Sequence, residues 1–99
     1  MKNEFKDELF ERVIDVVAEV TECAKVAILS RCRHKDLADA RRMAVSILYE
    51  YGYSITHITR LFNFKTHASA WYLLYSHKDA LYVKKYNYLF GKIKTKLEL

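Results

Sequence analysis

No proline and only two glycines interrupt the 99 residues, while apolar side chains recur at three- and four-residue intervals along nearly the whole chain. A strand would need alternation with a period of two, and a loop-rich fold would need turn residues that are missing here. The pattern therefore predicts an all-α chain. Its length suits one small domain, residues 1–99, and a hydrophobic content of 52% is enough for a modest core. Residues 4–76 read as a helical core and 78–98 as a C-terminal helical extension.

Taken in order, Phe5, Leu9, Val13, Val16, Val17 and Val20 form the stripe of a first helix, about 4–20. Glu4, Asp7, Glu8, Glu11 and Asp15 lie mostly toward its start, where the helix dipole favours anions. A short helix over 21–29 is expected to turn Val26, Ile28 and Leu29 inward. Ser30 to Lys35 is a basic loop. A long helix follows over 36–51, with Asp36 as its cap, Leu37, Ala40, Ala44, Ile47, Leu48 and Tyr51 as its buried stripe, and Gly52 as its stop. Near the C-terminus, Tyr82, Tyr86, Leu89, Phe90, Ile93 and Leu97 make an amphipathic helix with lysines on much of its remainder. So many large apolar side chains need a cover, either the same chain or a second copy in a homodimer.

The most informative stretch runs from Tyr53 to Leu74. Ser54 can cap a helix in which Ile55, Ile58, Leu61 and Phe62 face one way. Asn63 tolerates the left-handed geometry that ends helices. Thr66 can cap a second helix, which opens with His67-Ala68-Ser69. A short helix, a tight turn and a second helix with small polar residues at its start is the layout of a helix-turn-helix. In that motif the start of the second helix meets base edges in the major groove of DNA.

Charge is distributed to match. Residues 1–22 hold three positive and seven negative side chains, whereas residues 23–99 hold fourteen positive and five negative. A basic bulk with an acidic lobe suits a protein that turns one side to a polyanion. Arg31, Arg33 and Lys35 crowd three cations into five residues, and Arg41 and Arg42 sit in the first half of the long helix, on the basic loop's side.

Several blocks resemble one family. Val17-Ala18-Glu19, Ile28 to Ser30 opening a basic loop, Ala40 to Leu48 (ARRMAVSIL) and Ser54 to Phe62 (SITHITRLF) stand in the order and spacing of the C-terminal DNA-binding domain of the bacterial replication initiator DnaA. The resemblance covers residues 14–74, about three-fifths of the chain. It implies that an arginine of the basic loop, here Arg33, enters the minor groove while the second helix enters the major groove. The family's Arg-Asp-His-[Ser/Thr]-Thr-Val signature reads Lys65, Thr66, His67, Ala68, Ser69 and Ala70 here. His67 is kept, Ser69 is conservative, and the Asp that can accept from a cytosine amino group is replaced by Thr66. The preferred site is thus expected to differ from the initiator's own box. Arg31, Arg33, Lys35, Arg41, Arg42 and the run Lys65, Thr66, His67, Ala68 and Ser69 are the expected DNA contacts. Double-stranded DNA is the expected partner, in replication or in the biology of a mobile element.

Other chemistry finds little footing. No GxxxxGK[ST] loop is present, so no nucleotide is expected. Cys23 and Cys32 are not spaced as a CxxC pair, and a zinc site using Cys32 and His34 lacks further ligands. No catalytic grouping emerges around the four histidines, so neither an enzyme nor a cofactor is expected. Trp71 reads as core or near-core, with base stacking as the alternative. There is no run of about 18 uncharged apolar residues and no secretory leader, which points to a bacterial cytoplasmic protein with no membrane partner. The competing function is a helical interaction or assembly module that has the fold without a DNA target.

Overall fold

The computed structural model describes residues 4–98, with side chains from residue 8 onward. Among the described residues six helices follow one another: α1 (Glu4–Thr21), α2 (Lys25–Ile28), α3 (Lys35–Glu50), α4 (Ile55–Phe62), α5 (His67–Ala80) and α6 (Lys84–Lys96). No strand occurs among the described residues. The chain is a small all-α bundle, with a helix-turn-helix in α4 and α5 and an additional C-terminal helix.

The long helix α3 is the centre. From Ala40 to Leu48 only Arg42 escapes full burial, because α1, α2, α4 and α5 all pack on it. The core joins Val13, Ile14 and Val17 of α1 to Met43, Ala44 and Ile47 of α3, Ile58 and Phe62 of α4, and Leu73 of α5. Phe10 meets Phe62 edge to face at 5.6 Å, so α1 also touches the helix-turn-helix directly.

The buried face of α1 is rotated from the expected stripe. Phe10 and Ile14 are fully covered, whereas Leu9, Val16 and Val20 are half-buried at the margins. The reason is that α1 is sandwiched between α3 and α6, so its covered arc is set by two neighbours. Phe5, Glu4 and Asp7 lie outside the described side chains.

Three other expectations are corrected. Val26 is exposed, because α2 is a single turn that presents only Ile28 to the core. Tyr51 is exposed, because it follows the last turn of α3 as its C-cap, beyond the reach of the neighbouring helices. Tyr82 precedes α6 in the turn after α5 and stands in solvent, despite its helical spacing from Tyr86. The cap of α3 also differs: His34 Nδ1 accepts from Asp36 N at 3.3 Å, and Asp36 sits in the first turn near the positive dipole end. Gly52 stops α3 as expected, at φ 103°.

The C-terminal stripe is covered by its own chain. Tyr86, Phe90, Ile93 and Leu97 are buried, and α6 lies along α1. Lys96 pairs with Glu19 at 3.3 Å, and His77 of α5 meets the Tyr86 hydroxyl at 2.7 Å. A radius of gyration of 12.5 Å matches the value of about 13 Å for a folded chain of this length. The boundary expected near residue 77 falls inside α5, so core and extension share a helix.

Candidate nucleic-acid interface

The basic loop is pinned at both ends. At its start, the Ser30 hydroxyl donates to Ala27 O at 2.7 Å and accepts from Cys32 N at 3.1 Å. At its end, His34 caps α3. Between these anchors Arg31, Cys32 and Arg33 are exposed. Fixing the ends of so short a segment leaves the two arginines little choice but to project outward.

The anchor at Ser30 is reinforced from α3. Arg41 Nε donates to Ile28 O at 2.7 Å, and its Nη2 donates to Ser30 O at 2.8 Å and Ala27 O at 3.0 Å. Arg41 is only 8% exposed, and burial lowers its pKa from the usual guanidinium value. Its guanidinium ties the end of α2 to α3 and is not turned outward. The helical phase of the sequence contains the signal: Leu37, Arg41, Ala44 and Leu48 follow spacings of four, three and four, so Arg41 lies on the inward stripe. Arg42 is likewise engaged. It donates to Asp39 at 2.7 Å and to the Ser76 hydroxyl at 2.7 Å, across the seam of α3 and α5. Lys35 is exposed and pairs with Asp39 at 3.2 Å, a surface contact of small energetic worth.

The turn between α4 and α5 is built by local chemistry. The Ser54 hydroxyl accepts from His57 N at 3.1 Å and starts α4. Asn63 takes φ 59° and ψ 38° and ends it. Asn63 N donates to Arg60 O at 3.1 Å and Phe64 N to Thr59 O at 3.0 Å, the paired hydrogen bonds of a Schellman ending. Phe64 stacks on Phe62 at 5.3 Å, which seats the turn on the core. The Thr66 hydroxyl then accepts from Ala68 N at 3.2 Å and opens α5. Lys65, Thr66, His67, Ala68 and Ser69 are all exposed at this end.

The packing of α5 on α3 brings the turn up to the basic loop. A cleft of about 460 Å³ lies between them, lined by Ser30, Arg31, Arg33, Asn63, Lys65, Ser69 and Tyr72, with Phe62, Phe64 and Leu73 supplying apolar wall. No carboxylate lines it, and among the described residues Arg31, Arg33 and Lys65 have no acidic partner. The cleft is therefore suited to an anion. Of the residues expected to touch DNA, Arg31, Arg33, Lys65 and Ser69 converge here, and Arg41 contributes only to the wall. Thr66, His67 and Ala68 stand beside the cleft at the tip of α5. Lys35 and Arg42 lie outside it. Ser30, Asn63 and Tyr72 join the site without having been expected, since their place depends on how α5 is docked.

Among the described residues no group of His, Cys, Asp and Glu is arranged to hold a metal ion, and none of the helices is long and apolar enough to cross a membrane. No family model matches the chain, and neither a curated protein nor a solved structure matches it.

Proposed function

We propose that this chain is a double-stranded DNA-binding module of the helix-turn-helix kind. The observation that carries the reading is the convergence of Arg31 and Arg33 with Lys65 and Ser69 around one cleft without carboxylates, beside the exposed first turn of α5. The sequence blocks that resemble the initiator's DNA-binding domain support the same view and suggest a role in bacterial replication or on a mobile element. In this reading the first turn of α5 enters the major groove and the Arg31–Arg33 loop follows the adjoining minor groove. Lys65 and Arg31 neutralise phosphates, which adds affinity without sequence information. His67 and Ser69 meet base edges, and Thr66 and Ala68 offer methyl groups to thymine. Arg41 and Arg42 hold the frame.

Fluorescence anisotropy on random duplex at several salt concentrations tests this. Binding should weaken steeply with salt, and Arg31→Ala and Lys65→Ala should each reduce the slope by roughly one unit. His67→Ala should lower discrimination among selected sites by roughly 1–3 kcal/mol, with the slope unchanged. Salt-independent or absent binding would remove the reading. The second reading, a helical interaction module, draws on the exposed aromatic side chains of α5 and would then stand in its place.

A further inference from the structure

The outward face of α5 is aromatic beyond its first turn. Trp71 is 37% exposed, Tyr72 64% and Tyr75 68%, with Tyr49 of α3 alongside at 45%. Such residues usually lie in a core or against a partner. The Trp71 and Tyr75 rings, one helical turn apart, stack at 5.5 Å with only 18° between their planes. Tyr49 meets the Trp71 ring edge-on at 6.2 Å and braces it from α3. The result is a short, already stacked ladder of flat rings on the protein surface.

From these observations we propose that the Trp71–Tyr75 ladder is a stacking platform for unpaired bases of a DNA strand that continues from the basic cleft. The proposal rests on the DNA-binding reading above and extends it to single-stranded DNA. Continuity is supplied by Tyr72. It lines the cleft together with Lys65 and Ser69, its ring lies 6.0 Å from the Arg42 guanidinium, and it neighbours Trp71 on the helix. A strand whose phosphates lie on Arg31 and Lys65 would thus deliver its next bases to the ladder. Cations along the backbone with aromatic faces for the bases are the two components of single-strand recognition. Bases within a duplex are already stacked on each other and offer no free face to the ladder.

Area favours a small occupant of this patch over a protein, which would have to draw on the polar surface around it as well. Aromatic side chains bury about 150–250 Å² each, so the four exposed fractions leave on the order of 400 Å². A standard protein interface needs about 800 Å² per partner. The patch falls well short of that, whereas a few stacked bases need no more.

Trp71 is the only tryptophan in the chain, so its fluorescence reports the platform alone. The full chain is titrated with an oligothymidine of about 12 nucleotides, a blunt duplex of similar length and the same duplex with an unpaired thymidine tail. Anisotropy is followed in parallel. The single strand and the tailed duplex should quench Trp71, and the blunt duplex should bind without quenching. Tyr75→Ala should weaken the tailed duplex roughly tenfold and leave the blunt duplex unchanged, while Tyr75→Phe retains the parent's behaviour. Circular dichroism confirms that both variants are folded. If the blunt duplex binds but the tail adds neither affinity nor quenching, the platform is refuted and the duplex reading survives. Quenching by the single strand without duplex binding upholds the platform and overturns the duplex reading. Binding of neither removes both. A doubling of mass in light scattering that Tyr75→Ala abolishes would assign the patch to a second copy and overturn the proposal.

Discussion

Replacing Arg41 separates a framework arginine from a phosphate-binding one. Arg41 makes three hydrogen bonds to backbone carbonyls, at 2.7, 2.8 and 3.0 Å, from a nearly buried position. Hydrogen bonds to charged groups contribute about 1.5–3 kcal/mol each, but the three share one guanidinium and do not add. Arg41→Met keeps much of the stem packing and removes the cost of burying a cation, which offsets part of the loss. On the other side, Ile28 O and Ser30 O lose the donor that Arg41 supplied. A net loss of about 2–4 kcal/mol is expected, within the range for breaking a buried polar network. For a domain of this size that lowers the melting temperature by roughly 10–25 °C. Arg41→Lys should fall between parent and Met variant, because one ammonium cannot span three carbonyls. Urea unfolding followed by circular dichroism measures the difference. An exposed phosphate-binding arginine would behave otherwise. Its loss would change stability by no more than about 0.5 kcal/mol and reduce the salt slope for duplex by roughly one unit. That outcome would refute the framework role.

The remaining expectations concern the elements around the interface. Burial holds the His77 pKa below its ordinary value, with Arg42 and Lys94 adding to the effect and Glu50 opposing it. The unfolded chain therefore binds the proton more readily, so stability is complete above about pH 6.5 and falls as pH drops below it; in denaturation at a series of pH values His77→Gln should flatten this dependence, and an unchanged curve would contradict the assignment. Asn63 sits at φ 59°, so Asn63→Val should cost about 1–2 kcal/mol in thermal unfolding while Asn63→Gly is tolerated; equal losses would mean that the left-handed turn is not what matters. Phe62 joins α4 to α1 and to the turn through Phe10 and Phe64, and Phe62→Ala should destabilise by about 3–5 kcal/mol in urea titration.

Local hydrogen bonding is what the sequence determined by itself. Ser54, Asn63 and Thr66 take the capping and turn roles expected of them, because each bond is closed within a few residues and depends on side-chain type alone. The all-α architecture follows from the same source, a helical period without breakers. What lies on which side of a helix was decided elsewhere. Phe10 and Ile14 are buried and Val26 and Tyr82 exposed because α1 has two neighbours, α2 is a single turn and α6 begins after Tyr82. Charge alone groups Arg41 and Arg42 with the surface cations, yet packing draws one under α2 and the other into the seam with α5. Trp71, expected near the core, is a third exposed, because it lies on the face of α5 away from buried Ala70 and Leu73. The cleft is the clearest case. Arg31 and Arg33 are more than thirty residues from Lys65 and Ser69, and they meet only because α3 carries the loop and α5 packs against α3. Burial of apolar faces fixes that docking, and it has no preference for which cations it brings together.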